Sequence, residues 1–191
     1  DYDVYGLDKA SEPSARSTAK GLALLPADHL RVANISDFGA VQAALAGMET
    51  VIHLAADPNG RAGWESVLAN NIIGTHNVFE AARQAGVKRV VYASTNQVVF
   101  GYGADEARQA LAAGRMDQVN MSAPRPIDYT QPTRPLNDYA CSKVFGEALA
   151  HMYAYTHGLS CLCLRIGWVT AFENGKRLFS EAQSKAMWQP T

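Results

Sequence analysis

A tyrosine and a lysine four residues apart pose the chemical question. In DYACSKVFGEALAHMYAYTH, residues 138–157, Tyr139 and Lys143 lie one helical turn apart on the same face. A phenol beside an ammonium on a rigid helix is the arrangement that a proton-transferring tyrosine needs. A free phenol titrates near pH ~10 and is a poor base at neutrality, and a nearby positive charge favours the phenolate. The pair alone is weak evidence, because a surface lysine beside a half-buried tyrosine has the same spacing. Metal chemistry has no cluster of ligands to support it, and none is expected.

The elements around the pair decide what it can do. The pattern predicts one amphipathic helix over 138–157, with Asp138 as N-cap and apolar Phe145, Leu149, Met152 and Tyr153. Gly158 stands where a helix ends in the left-handed conformation. Strands are expected at 1–8, 29–33, 50–54, 89–94 and 159–166. Helices are expected at 36–46, capped by Ser36, and at 64–85, with Trp64, Val67, Leu68, Ile72, Val78 and Phe79 on its apolar side. The 89–94 strand is nearly continuously apolar, as a strand buried on both faces should be. Residues 98–135 read as loop with one short helix near 104–113, and the tail holds one helix around 176–187. Strands alternating with helices imply a parallel sheet whose ligands bind at the carboxyl ends of the strands.

Composition narrows the class. The chain has 191 residues, 48% hydrophobic and 18% charged, which suits one globular domain. A formal net charge of −1 gives no electrostatic case for nucleic acid or an anionic membrane. No stretch approaches the ~20 apolar residues of a membrane span. Cys141, Cys161 and Cys163 form neither a disulfide framework nor a metal site. Cys161 and Cys163 alternate along a strand and should share one buried face, so a reducing, cytoplasmic setting is expected.

Four strand ends carry useful residues. Asp8 can take the hydroxyls of an adenosine ribose and repel a 2′-phosphate. Asn34 and Ile35 follow the second strand. Ala55 and Ala56 follow the third, where small side chains let a ligand approach the backbone. Ser94, Thr95 and Asn96 follow the fourth, on the rim that Tyr139 shares.

VIHLAAD, LANNIIGTHNVFEAARQAGVKRVVYAST, YACSK and LRIG, in this order, resemble the extended short-chain dehydrogenase/reductase group, the NAD-dependent epimerase/dehydratase family. The resemblance implies an α/β, Rossmann-like doubly wound parallel sheet and an enzyme that uses NAD. Tyr139 would be the acid/base, Lys143 would hold the nicotinamide ribose and lower the tyrosine pKa, and Thr95 would hydrogen-bond the reacting oxygen. Asp8, Asn34, Ile35, Leu54, Ala55, Ala56, Asn71, Ser94 and Ile166 would complete the cofactor site, where Asn71 would also tie the long helix to the neighbouring strand. STNQV and RLFS are most similar to the uronate-dehydrogenase branch, which oxidises a sugar acid at its anomeric carbon. Asn96, Gln97, Trp168 and Arg177 would then face the sugar, although Gln97 stands where that branch has a histidine and Trp168 where it has a small polar residue. Thr95 and Tyr139 are 44 positions apart, more than the pattern's usual interval, so an extra loop over the substrate mouth and a hexose substrate are also open. A nucleotide-sugar epimerase or dehydratase, or a non-catalytic dinucleotide-binding regulator, is the alternative. A homodimer through the two long helices is implied by the family only.

The family opens with a strand and a GxxGxxG turn that holds the pyrophosphate, and no such turn occurs in these residues. The expectation is therefore a chain truncated at both ends. Residues 1–169 would be an incomplete dinucleotide-binding domain, and 170–191 the start of the substrate-binding region.

Overall fold

The computed structural model describes residues 2–12, 25–59, 61, 63–115, 117, 127–167 and 169, with the backbone of 172–173 and 176–177. Its centre is β4, Arg89–Thr95, which pairs in parallel with β3, Thr50–His53, and β5, Ser160–Ile166. The register sets Val51 beside Val90 and Thr95 beside Ile166. A second parallel ladder joins β1, Gly6–Asp8, to β2, Leu30–Val32. Among the described residues no strand hydrogen-bonds one ladder to the other.

Parallel neighbours require crossovers, and helices supply them. Asp37 starts α1, Phe38–Leu45, by accepting from Ala40 N at 3.1 Å. The cap is thus Asp37 and not Ser36, because the longer acidic side chain one residue on reaches the free amide. The long helix α2, residues 64–84, is not regular. It begins at Trp64–Ser66, widens into a π-helical stretch at Val67–Ile73 and closes as α-helix over Gly74–Gln84. Such wide turns concentrate at functional sites. Trp64 is 54% exposed, so the apolar side of α2 starts at Val67.

After β4 a 3₁₀ segment, Asn96–Ala104, occupies what reads as loop, and α3, Glu106–Ala112, is the short helix expected near 104–113. The helix α4, Asp138–His157, has the expected bounds, but its cap is Asn137, whose Oδ1 accepts from Ala140 N at 2.8 Å. Asp138 is the first helical residue, where its charge still suits the helix N-terminus. Gly158 ends the helix at φ 68°, a conformation that costs glycine nothing.

The core lies between one face of the β3–β4–β5 sheet and α1, α2 and α4. Val51, Val90 and Tyr92 point into it and meet Val41, Phe79, Leu149 and Tyr153. Phe79 is fully buried and contributes about 2–3 kcal/mol by area. Ile52, Leu162 and Leu164 alternate with these inward residues and are about half or more exposed on the other face. β4 is accordingly buried in alternation and not continuously. Cys163 is exposed while Cys161 packs against the core, so the two do not share a buried face. Met152 is also exposed.

Two short strands close the described chain: β6, Phe172–Glu173, and β7, Lys176–Arg177, paired antiparallel. A helix therefore does not start at Lys176. Asn-Gly between the two strands is a strong hairpin signal. The rest of the expected tail helix lies outside the described residues.

Candidate active site

The fold brings Thr95, Tyr139 and Lys143 together because β4 ends where α4 begins its first two turns. Thr95 is 6% exposed and its Oγ1 accepts from Gln97 N at 3.3 Å, which fixes the hydroxyl at the strand end. Lys143 is 3% exposed, and its Nζ donates to Ala93 O at 2.8 Å. The ammonium stands 5.0 Å from the Tyr92 ring centroid and 5.8 Å from that of Tyr139. Both rings lie within cation–π range.

Burial makes the charged lysine costly and pulls its pKa from 10.5 to about 8. Burial also pushes the Tyr139 phenol above its ordinary value, and the Thr95 hydroxyl opposes that shift. Burial is the dominant influence on the phenol, which keeps its proton in this structure with the Lys143 ammonium 5.8 Å from its ring centroid. The site holds its proton on Tyr139 and a positive charge one turn away.

Asn71, 1% exposed, sits in the π stretch and spends its whole amide on structure. Its Oδ1 accepts from Asp57 N at 2.7 Å, and its Nδ2 donates to Asp57 O at 3.1 Å and Ser142 Oγ at 3.0 Å. It therefore ties α2 both to the chain after β3 and to α4, and is not free for a cofactor. Ser142, next to Lys143, was missed because the spacing of Tyr139 and Lys143 gives it no part. Ser94 is likewise committed, its hydroxyl donating to Glu147 at 2.6 Å. Glu147 also takes Arg165 through Nε at 2.9 Å and Nη2 at 2.8 Å. Glu147 and Arg165 carry no signal in the sequence, being 18 residues apart on different elements.

A separate cleft of about 90 Å³ gathers Asp8, Asn34, Ile35, Ala55 and Ala56, with Asn70 from the π stretch beside them. Asp8 spends Oδ1 on Ala10 N at 3.0 Å, which bends the chain after β1. An acid, an apolar wall and two methyl-sized residues at strand ends suit the adenosine and ribose end of a dinucleotide. Leu54 is 67% exposed and does not line the cleft, since β3 turns it to the open face.

A larger groove of about 780 Å³ follows β5 and is lined by Asn96, Asp128, Tyr129, Glu147, Arg165 and Ile166, among others. Asn96 and Ile166 thus share one wall. Gln97 is turned elsewhere: its Oε1 accepts from Asn137 Nδ2 at 3.2 Å, so it supports the cap of α4. Trp168 lies outside the described residues. Arg177 is in β7, and its side chain lies outside them as well.

Known proteins are similar to this chain. L-Arabinose 1-dehydrogenase (NAD(P)(+)) of Haloferax volcanii is 41% identical over 163 residues, 82% of this chain and 61% of that protein. NAD-dependent glucose-6-phosphate dehydrogenase of the same organism is 36% identical over 157 residues, covering 82% of this chain and 56% of its own. The crystal structure of uronate dehydrogenase from Agrobacterium tumefaciens matches with TM-score 0.56 and 30% identity over 70% of this chain and 42% of that one. The chain thus spans about three fifths of the length of these two curated relatives. The family described as NAD dependent epimerase/dehydratase matches residues 1–177. With the Rossmann-like parallel sheet and the ordered motifs at its strand ends, the chain belongs to that NAD-dependent family.

Proposed function

We propose that the protein carrying these residues oxidises a sugar, a uronate or a hexose, at a hydroxyl carbon with NAD, and that Tyr139 takes the hydroxyl proton. The observation that carries this reading is the meeting of Thr95, Tyr139 and Lys143 at one end of β4 in a member of an NAD-dependent family. Names of relatives that act on arabinose, glucose 6-phosphate and uronate support a sugar substrate. When bound, the dinucleotide supplies the hydride acceptor. Asp8, Ile35, Ala55 and Ala56 would hold its adenosine side. Thr95 would orient the sugar hydroxyl, and the phenolate oxygen of Tyr139 would accept its proton as the C–H bond breaks. Bringing a phenol from pKa ~10 to near 7 needs about 4 kcal/mol, within reach of one close cation in a partly dry site. Lys143 would give that charge on leaving Ala93 O.

In this reading Asn96 faces the sugar, Ile166 belongs to the cofactor side of the same groove, and Trp168 and Arg177 would contact the sugar. The protein is cytoplasmic, in keeping with cysteines that are free among the described residues. It is a homodimer through α2 and α4, where exposed Trp64 and Ile73 of α2 and Met152 and Tyr155 of α4 suit a helical interface. NAD reduction is to be measured with arabinose, glucose 6-phosphate and glucuronate, in parent and Tyr139→Phe proteins. Removing only the proton carrier should cut turnover at least ~10²-fold. Turnover within a few-fold of the parent would remove Tyr139 from the mechanism.

A further inference from the structure

Tyr139, Lys143 and Glu147 recur every four residues along α4, so an acid follows the lysine by one turn as the lysine follows the tyrosine. An i, i+4 pair of opposite charge is ordinarily within reach. Here the two charges stay apart. Lys143 Nζ donates to Ala93 O, while Glu147 accepts from the hydroxyl of the next residue, Ser94. The guanidinium of Arg165, on β5, grips both carboxylate oxygens of Glu147. The pair is sheltered, with side chains 24% and 15% exposed for Arg165 and Glu147.

We propose that Arg165 is a positioning residue for proton transfer: it holds the Glu147 carboxylate on Ser94 and so keeps it from taking the ammonium of Lys143. The planar fork fits a carboxylate bidentately, which an ammonium cannot match. Without Arg165 the sheltered carboxylate keeps the Ser94 hydroxyl but has no counter-charge, and the cation on its helix face is Lys143, one turn back. An ion pair there draws the ammonium away from Tyr139. Glu147 agrees with this placing. Burial alone would raise its pKa, but Arg165 and Ser94 hold it below the usual carboxylate range. The other titratable groups facing Lys143 are Tyr139 on α4, Tyr92 on β4 and His53 on β3, the last held neutral by burial and by Lys143 itself.

The inference rests on the proton-transfer reading of Tyr139 and Lys143. Its test compares the parent with Arg165→Met, Glu147→Gln and the double variant, after thermal melting shows each to be folded. Two readouts are taken: sugar turnover, and the phenol titration at 295 nm relative to a matching Tyr139→Phe protein. Arg165→Met should lower turnover by ~10–100-fold and raise the Tyr139 titration by about one pH unit. Adding Glu147→Gln should recover at least ~10-fold of that turnover and reverse the titration shift. A double variant as impaired as Arg165→Met would make Arg165 a structural clamp and overturn the proposal. Should Arg165→Met not fold, Arg165→Lys, alone and with Glu147→Gln, carries the same comparison. A parent that oxidises no sugar counts against the functional reading, while the phenol titrations still decide the role of Arg165.

Discussion

The ring of Tyr92 occupies the space that any side chain at position 146 would need. A Cβ built on Gly146 collides with the Tyr92 ring and hydroxyl, so the absence of a side chain there sets how closely α4 approaches β4. Lys143 lies on the same face of the same helix, one turn earlier, above that ring.

Gly146→Ala should therefore destabilise the fold by about 1–3 kcal/mol, despite gaining about 1 kcal/mol of helix propensity. It should also lower kcat more than it raises KM, because α4, pushed off β4, carries Tyr139 and Lys143 away from Thr95. Chemical denaturation and steady-state kinetics check both. A variant more stable than the parent would show that Tyr92 relocates at no cost.

His53 is 4% exposed and accepts or donates at Thr75 Oγ1, 3.1 Å away. Burial first, then the charge of Lys143, bring its pKa from 6.5 to about 3. The unfolded chain thus takes up this proton before the folded one does. Stability is whole above pH 6.5 and falls as the pH drops towards 3, by about 2 kcal/mol from this residue at pH 5. His53→Gln keeps a hydrogen-bonding amide and cannot titrate, so it should remove that part of the acid slope in urea denaturation. An unchanged slope would mean that His53 is protonated in the folded state.

How much of this was legible in the residues differs by element. The bounds of α4 were readable, since its apolar period and Gly158 act locally. Its cap was missed by one position because Asn137 and Asp138 are both competent, and only the backbone path chooses. The π stretch of α2 leaves no mark on the apolar spacing. Cys163 and Trp64 were assigned to the interior because alternation and period say which residues share a face, not whether anything covers it. At the site, Thr95, Tyr139 and Lys143 were readable from strand and helix ends. Ser142, Glu147 and Arg165 were not, because their contacts join residues distant in sequence. Gln97, expected at the sugar, serves the α4 cap instead.

NAD should be preferred over NADP. Asp8 lines the small cleft, where a 2′-phosphate would meet like charge, with Lys9 as the one offset among the described lining residues. Asp8→Ser should reduce the NAD:NADP ratio of kcat/KM by about tenfold or more, equivalent to ~1.4 kcal/mol of repulsion. An unaltered ratio would reduce Asp8 to a turn residue.

The 191 residues by themselves should bind NAD weakly, with Kd near ~1 mM or above. They contain no GxxGxxG turn, and phosphate contacts of about 1.5–3 kcal/mol each are lost with it. Isothermal titration calorimetry decides this, and a Kd in the low micromolar range would show that another segment cradles the phosphates.

The two hydrogen-bond ladders divide the molecule in time as well as in space. All seven residues of β4 pair with β5, four of them, Arg89–Tyr92, also pair with β3, and helices cover one face, whereas β1 and β2 share three rungs. Local opening is cheapest where few buried contacts must break. In deuterium exchange the amides of Val90 to Ser94 should outlast those of Leu7 and Arg31 by orders of magnitude. Of the residues proposed for proton transfer, Thr95 at the end of β4 stands on the slow part of this clock, and Asp8, at the end of β1, stands on the fast part.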